Sequence, residues 1–437
     1  MRRAMSAGER ADPERAQVIP VAQSGVQDLR RRRRRGQAII RCDQPMRRIR
    51  VLYICTALNR GSGGEMHPLA LARHLDRSRF DFAICVIEEA STAVMAELEA
   101  AGCRLYSLNL SRRLYNPFEL MRVCHRLYRL CSRIHPDVVQ THALHANLLA
   151  RPAAKWAGVR VIISTETALP EGERNVLRRA LNAPLHGLNR LLDRSTQKIV
   201  VVSDWVRRWK DPTGSSQKIH VISPPFRLEA FSSPKTHRRA IRPEIAERAP
   251  VLGVVGRLSP EKGHRFAIAA MPEILADAPG ARLLIVGSGP SEAKLRAHVA
   301  ALGLTESVEF LGYVREIQTA FARMDVLIVP SLADSCPLVA LEGMMMELPV
   351  VGSRTGGIAE MVVHGETGLL VPPGDSAGLA QACRYLLSRP DVRREMGKRG
   401  RGRVLSKYHP SQFIARHEDL YACALDGELE RRSGIVS

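Results

Sequence analysis

Residues 325–373 read DVLIVPSLADSCPLVALEGMMMELPVVGSRTGGIAEMVVHGETGLLVPP, and this stretch decides the fold. An apolar run ends at a Pro-Ser pair, and a polar loop containing Asp334 follows. An amphipathic segment with Glu342 then leads to a second apolar run and to Gly356-Gly357. Strand, loop, helix, strand, glycine turn and strand in this order are typical of a parallel α/β sheet. In such a sheet the two carboxylates, one in a loop and one in a helix, can face a single polyol ligand.

Strand and helix patterns alternate on both sides of this stretch. We divide the chain into an N-terminal domain (46–222), an interdomain linker (223–249), a second domain (250–410) and a C-terminal helix (411–437) that crosses back to the first domain. Such alternation predicts one doubly wound parallel sheet in each domain. We therefore expect an α/β protein with two Rossmann-like domains facing each other across a cleft.

The composition is that of an ordinary globular chain, with 45% apolar and 25% charged residues among 437. No apolar run approaches the roughly 18 residues that a membrane span needs, and the N-terminus has no signal-peptide core. The nine cysteines are scattered without a C-x-x-C pair. This pattern is typical of reduced thiols, so we predict a cytoplasmic location.

The chain is strongly basic, with a net charge of +21. Residues 1–45 contain the run Arg30 to Arg35 and few periodic apolar positions. We interpret them as a disordered basic extension, either a start-site artefact or a dispensable tail, because Met46 directly precedes the first predicted strand. An arm that binds nucleic acid or acidic lipid is the alternative. Nucleic-acid binding is disfavoured as the main function, because it depends on this arginine run.

Arg257 and Lys262 lie in a loop between a predicted strand and a predicted helix. Ligands of open α/β sheets bind at the carboxyl ends of strands. A diphosphate there would meet two cations and the amides of a helix N-terminus. A solvated basic turn is the alternative. The glycine loops at Gly63-Gly64 and at Gly287 to Gly289 both depart from G-x-G-x-x-G, which disfavours a nicotinamide enzyme.

His142 and His145 follow another predicted strand, so both would point into the same crevice. A single histidine in such a loop is more often structural than catalytic, and a second one raises the odds of a functional role slightly. The sequence contains no D-x-D motif and no His/Cys cluster with metal-ligand spacing. We therefore expect no metal and no other cofactor, and Arg257 with Lys262 would have to neutralise a diphosphate.

These signals gain specificity in combination, because they follow one another in a fixed order over two similar domains: Gly63-Gly64, His142, Arg257 with Lys262, Asp334 with Glu342, and Gly356-Gly357. The chain resembles the family 4 retaining glycosyltransferases of the GT-B fold over roughly residues 47–425. The stretches VVGRLSPEKGH (254–264) and ELPVVGSRTGGIAEMVVHGETGLLVPPGD (347–375) resemble that family's donor-binding domain most specifically.

The resemblance implies four catalytic residues. Arg257 and Lys262 would hold the diphosphate of the donor and stabilise the leaving group. Asp334 stands where the family has a glutamate that contacts the transferred sugar. His142 would touch that sugar near the reacting carbon.

The resemblance also implies the donor-binding residues. Glu342 would accept hydrogen bonds from the ribose hydroxyls, and the amides of Leu338 and Val339 would contact the β-phosphate. Gly64, with Gly63 before it, would let the loop of the N-terminal domain approach the donor.

The reaction implied is metal-independent transfer of a sugar from a nucleotide-diphosphate sugar to an acceptor hydroxyl, with retention of the anomeric configuration. It implies a role in surface polysaccharide, lipopolysaccharide or glycolipid biosynthesis, with a sugar or a lipid-linked acceptor. Segments 111–133 and 173–195 are basic and amphipathic. They fit docking at an anionic membrane surface on the inner face of the cell membrane, and a solvated helix face is the alternative.

The chain departs from the family pattern at several positions. Asp334 replaces the usual glutamate, and Ser335-Cys336 stands for Gly-Phe. Pro224-Pro225 lies at the domain junction instead of an Asn-Gly motif, and Thr165-Glu166-Thr167 stands for Thr-Glu-His. These changes motivate a second hypothesis, in which the chain is a catalytically weak or inactive paralogue that acts as a binding or scaffold protein.

Overall fold

The structure is a computed structural model that describes residues 47–58, 64–110, 116–167, 176–226, 228–231 and 249–433. The predictions for residues 1–45 and for Gly63 lie outside these ranges. The chain from Arg48 to Ser437 forms one compact unit that contains two separate parallel sheets.

The first sheet has seven strands within the described residues. In chain order they are β1 (Ile49–Cys55), β2 (Phe80–Val86), β3 (Arg104–Ser107), β4 (Val138–His142), β5 (Val161–Glu166), β6 (Lys198–Val201) and β7 (Ile219–Val221). The helices between them are α1 (Met66–His74), α2 (Thr92–Ala100), α3 (Pro117–Ile134), α4 (Leu144–Trp156), α5 (Val176–Leu192) and α6 (Asp204–Lys210). The spatial order is β3-β2-β1-β4-β5-β6-β7, so the winding reverses between β1 and β4.

The second sheet has six strands within the part that the structure describes. They are β8 (Val251–Val255), β9 (Arg282–Val286), β10 (Val308–Gly312), β11 (Val326–Val329), β12 (Val350–Ser353) and β13 (Gly368–Val371). The helices are α7 (His264–Asp277), α8 (Glu292–Ala301), α9 (Ile317–Ala322), α10 (Leu338–Met345), α11 (Ile358–Met361), α12 (Ser376–Leu387) and α13 (Pro390–Lys407). The order β10-β9-β8-β11-β12-β13 reverses between β8 and β11.

The predicted fold class is confirmed, since both sheets are parallel and doubly wound. The decisive stretch forms β11, α10, β12 and β13, with the short helix α11 after the glycine pair. Every residue of β11 is buried, which is typical of a strand covered by helices on both faces. Strand β3 was not among the predicted strands, because this edge strand has no fully buried residue and no apolar run.

Two chain segments extend the cores of the sheets. Phe226 and Phe231, from the predicted linker, pack with Phe321 in a core beneath the second sheet. The last helix, α14 (Pro410–Ser433), packs against the first sheet, where Phe413 and Tyr421 join the core that contains β1 and β2.

A buried polar network joins α14 to the first sheet. The hydroxyl of Tyr421 donates to Oε1 of Gln140, and Nε2 of Gln140 lies 3.4 Å from Nε2 of His417. Nδ1 of His417 donates to the carbonyl of Phe413 at 2.9 Å. Since Nδ1 of His417 then carries the proton, Nε2 accepts from Gln140. The network therefore requires a neutral His417.

Burial also keeps two neighbouring histidines neutral. The ring of His67 contacts those of His142 and Phe413, with centroids 4.8 and 5.2 Å apart. Burial lowers the pKa of His417 and of His142 to about 4. Burial likewise places the pKa of His67 well below its ordinary value.

This neutrality predicts a stability that depends on pH. The unfolded chain binds a proton on each histidine near pH 6.5, whereas the fold keeps His417 neutral down to about pH 4. The stabilisation is complete above pH 6.5 and is lost as the pH falls. In urea unfolding, we expect the free-energy difference between the wild type and His417→Gln to shrink by about 2–3 kcal/mol between pH 7.5 and 4.5. Substitution of the exposed His74 by Gln is the control, and an unchanged difference at His417 would contradict the prediction.

Candidate active site

The predicted site residues lie at the two points where the winding reverses. In the first sheet, His142 ends β4, and Gly64 lies in the connection from β1 to α1. In the second sheet, Arg257 follows β8 and Asp334 follows β11. The carboxyl ends of such strands diverge into a crevice that binds ligands in open α/β sheets. The topology therefore places all four positions where a ligand is expected.

Lys262 and Asp334 form an ion pair across the second crevice. Nζ of Lys262 lies 2.5 Å from Oδ2 of Asp334, and the two side chains are 30% and 11% exposed. The backbone supports the pair, because the amide of Leu332 donates to the carbonyl of Glu261 at 2.8 Å. The loops after β8 and β11 are thus joined by both a charge pair and a main-chain hydrogen bond.

Arg257 lies on the exposed side of the same loop. Its Nη2 donates to Oε1 of Glu261 at 2.8 Å, and its side chain is 70% exposed. The hydroxyl of Ser259 also donates to Glu261. Both predicted cations therefore have a carboxylate partner, which an entering diphosphate would have to replace with its own oxygens.

Glycines allow the loops to approach this closely. Gly263 has φ +70°, and a Cβ there would lie 1.9 Å from the carbonyl oxygen of Pro330. Gly356 has φ +54°, and its Cβ would lie 2.0 Å from the carbonyl oxygen of Asp334. The amide of Gly357 donates to that same carbonyl at 2.8 Å. Only a residue without a Cβ fits either position.

Helix α10 begins two residues after Cys336 and carries the predicted nucleotide contacts. Leu338 and Val339 are half-buried in its first turn, and its N-cap Pro337 makes no side-chain cap. The first amides of a helix attract an anion. The contact of these amides with the β-phosphate stays a prediction.

Glu342 lies one turn further along α10 and is half-buried. Burial, with a smaller contribution from the charge of Glu65, raises the pKa of Glu342 to about 7. Glu65 directly follows Gly64 and is buried at the start of α1. The loop of the first domain therefore lies close to the carboxylate predicted to bind ribose. Glu65 was not among the predicted site residues, because its only signal in the sequence is its position beside the glycine loop.

His142 is buried, and its ring is oriented by a strand residue. The hydroxyl of Tyr53 lies 2.5 Å from Nδ1 of His142. Burial keeps the pKa of Tyr53 well above its ordinary value, so the hydroxyl retains its proton. The next residue, Ala143, has φ 69° and ψ 164°, a strained conformation that is usual at functional sites. The predicted contact of His142 with the sugar stays a prediction.

Glu166, which precedes the departure from the family pattern at Thr167, belongs to a charged network at the end of β5. Nζ of Lys210 donates to its Oε1 at 3.0 Å, and the side-chain amide of Asn189 donates at 2.9 Å. Burial alone would raise the pKa of Glu166, but the ammonium of Lys210 holds it below the ordinary value. The fully buried Arg151 bonds to Asp193 and Asn189 next to it. An ionised carboxylate is thus fixed in the first crevice.

The described residues contain no group of three or more His, Cys, Asp or Glu side chains placed to hold a metal ion. The second crevice instead has two cations, Arg257 and Lys262, and the first amides of α10. These groups suit an anionic ligand.

The architecture is shared with solved structures. Anabaena HepE, solved in complex with UDP, aligns with a TM-score of 0.72 at 18% identity over 86% of this chain and 100% of that chain. Two paired doubly wound domains define the GT-B class of fold.

The family follows from the sequence models. The model for glycosyl transferases group 1 matches residues 249–389, and the model for a glycosyl transferase 4-like domain matches residues 62–225. The chain belongs to the group 1, or family 4, glycosyltransferases, as the resemblance indicated.

Curated relatives match part of the chain at about 30% identity. The chain is 30% identical over 177 residues to N-acetyl-alpha-D-glucosaminyl L-malate synthase of Bacillus anthracis, a match to 40% of this chain and 46% of that relative. It is 29% identical over 303 residues to glycogen synthase of Mycobacterium tuberculosis, a match to 67% of this chain and 70% of that relative. The chain thus spans about half the length of the first of these relatives.

The close approach at Gly263 can be tested against a matched glycine. Gly263 and Gly303 have nearly equal φ of +70° and +68°, but a Cβ at Gly303 meets nothing within 4 Å. Gly303→Ala should cost about 1–2 kcal/mol from backbone strain alone. We expect Gly263→Ala to cost more in urea unfolding, and to lower the affinity for an anionic nucleotide because it displaces Lys262. Equal effects of the two substitutions would contradict this.

Proposed function

We propose that the protein is a retaining glycosyltransferase that moves a sugar from a nucleotide-diphosphate sugar to an acceptor hydroxyl. The observation that carries the proposal is the Lys262–Asp334 pair at the reversal point of the second sheet. This pair joins the loop of Arg257 to the loop that leads into α10. Cations, helix amides and Glu342 then follow one another in the order of diphosphate and ribose along a donor.

The chemistry depends on charge that develops as the diphosphate leaves. The glycosidic bond to the β-phosphate breaks, and the sugar passes through an oxocarbenium-like state. The acceptor hydroxyl attacks from the same face and transfers its proton to the departing phosphate oxygen. Arg257 and Lys262 stabilise the negative charge on that phosphate, and such preorganised groups are commonly the largest source of rate. Neither a protein nucleophile nor a metal takes part in these steps.

The donor is a nucleoside diphosphate sugar in this proposal. Support comes from HepE, whose structure is described in complex with UDP. Further support comes from Glu342, since its pKa of about 7 leaves a substantial ionised fraction at neutral pH. An ionised carboxylate accepts two hydroxyl hydrogen bonds and suits a ribose diol. Synthesis of a surface polysaccharide, lipopolysaccharide or glycolipid fits this activity.

Substitution of Lys262 and of Glu342 tests the site. We expect Lys262→Ala to lower the release of nucleoside diphosphate from a panel of sugar nucleotides by about 100-fold or more, since a cation at developing charge is lost. Glu342→Gln should lower release by raising KM for the donor. The exposed Lys294→Ala is the control for Lys262.

The free energy of unfolding of Glu342→Gln shows whether this variant loses activity because it loses the fold. Because its pKa is raised from 4.5 to about 7, the fold loses stability progressively as the pH rises from 4.5 through 7. At pH 8, Glu342→Gln should therefore be about 1–3 kcal/mol more stable than the wild type. Full turnover by both Lys262→Ala and Glu342→Gln would refute the site. A wild type that binds sugar nucleotides without turnover would favour the inactive paralogue.

We also propose that the first domain docks on an anionic membrane surface. On α3, Phe118 and Met121 are 78% and 66% exposed, beside the exposed Arg122 and Arg129. Trp156, at the end of the neighbouring α4, is 70% exposed. Exposed apolar side chains beside cationic ones suit insertion among anionic headgroups. In the described ranges, every helix is too short or too polar to cross a bilayer.

Helix α5, which packs on α4, also exposes apolar side chains beside a cationic one. Leu188 and Leu191 are about half exposed, with the exposed Arg190 between them. A lipid-linked acceptor and a peripheral location on the inner face of the cell membrane would both follow from such docking.

Vesicle flotation measures the docking. We expect the wild type to float with phosphatidylglycerol vesicles at low salt and to be released by high salt, because exposed charges are screened. The double substitution of Phe118 and Met121 by Ser should lower the bound fraction severalfold. Tyr313→Ser, which removes an aromatic side chain that is 62% exposed beyond the second sheet, is the control. A wild type that stays unbound at low salt would refute the docking.

A further inference from the structure

A contact between the two domains begins at the Gly356-Gly357 turn. The amide of Gly357 holds the carbonyl of Asp334 at 2.8 Å, and α11 starts at the next residue. Glu360 lies in α11 and is 24% exposed. The loop that carries Asp334 is therefore connected to Glu360 through one rigid glycine turn.

The carboxylate of Glu360 is bound by the first domain. The amide of Asp204 donates to its Oε2 at 3.0 Å, and the amide of Trp205 donates to its Oε1 at 2.5 Å. Nη2 of Arg208 lies 3.6 Å from the same Oε1. All three donors belong to α6, which follows β6 of the first sheet. Both carboxylate oxygens are thus engaged across the boundary between the domains.

The backbone of Glu360 is fixed to its own domain. Nη2 of Arg403 donates to the carbonyl of Glu360, and Nε of Arg403 to that of Met361, both at 2.8 Å. The hydroxyl of Tyr408 donates to the carbonyl of Glu360 at 3.3 Å. Since the carbonyl is anchored on one side and the carboxylate on the other, a small shift of either domain must break hydrogen bonds.

An apolar contact lies beside these bonds. Cys336, two residues after Asp334, packs against a cluster of the first domain that includes Val201 and Val206, together with Trp205. The departure from the family's Gly-Phe at this position therefore falls at the domain boundary. It places a small side chain where α6 and the Asp334 loop meet.

We propose that Glu360 is a positioning residue for glycosyl transfer, which fixes α6 of the first domain against the loop of Asp334 and so sets the distance between acceptor and donor. This inference rests on the proposed function. In this role Glu360 contacts neither the donor nor the acceptor. It acts through the alignment of the two crevices, in which a displacement of about 1 Å is enough to slow a reaction strongly.

A graded series on the full chain tests the proposal. Glu360→Ala removes both acceptors, whereas Glu360→Gln keeps one carbonyl oxygen that can accept a single amide. Glu366→Gln changes an exposed carboxylate in the turn after α11 and is the control. For each protein we would measure kcat and the donor KM by nucleotide release, the radius of gyration by small-angle scattering, and thermal stability.

We expect Glu360→Ala to lower kcat about tenfold or more, with the donor KM changed less than about threefold, because the donor contacts stay in the second domain. The radius of gyration should increase, and Glu360→Gln should lie between alanine and the wild type. A normal kcat with an unchanged radius would overturn the proposal. So would reduced thermal stability with normal kcat, because that result marks a purely structural role. Absence of turnover in the wild type would instead refute the proposed function.

Discussion

The second crevice depends on the ion pair between Lys262 and Asp334. The two side chains come from loops that follow the adjacent strands β8 and β11, so the pair forms only when those strands lie side by side. Opposite charges this close gain strength when partly shielded from water, but they also lose hydration. The glycines at 263 and 356 remove the steric obstacle to that approach. The ion pair therefore depends on the glycine backbone geometry of the two loops as well as on the charges.

The charges around the cleft are balanced before any ligand enters. Arg257 is paired with Glu261, and Lys262 with Asp334. The carboxylates Glu342 and Glu65 instead repel each other, and the charge of Glu65 contributes to the raised pKa of Glu342. A bound diphosphate would exchange these carboxylate partners for its own oxygens, while the ion pairs hold the two cations in place before it enters. Preorganisation of this kind is what electrostatic catalysis requires.

Much of the fold was predictable because the signals are local. Buried parallel strands are continuous apolar runs, and the predicted strands around 326–329 and 282–286 agree with the structure to the residue. The edge strand β3 has no such run, so periodicity could not reveal it. The glycine turns and the cations near the candidate site were also predictable, because each is recognised from the strand or helix residues beside it in the sequence.

The sequence by itself determined the two parallel sheets, the family and the set of candidate residues, since apolar runs and short motifs are properties of neighbouring residues. Only the tertiary structure decided that Tyr53 faces His142, that Glu65 lies near Glu342, and that Glu360 binds the amides of α6. Those partners are 89, 277 and 155 positions apart in the chain. Their contact results from strand order and from the meeting of two domains, and no local pattern encodes either one.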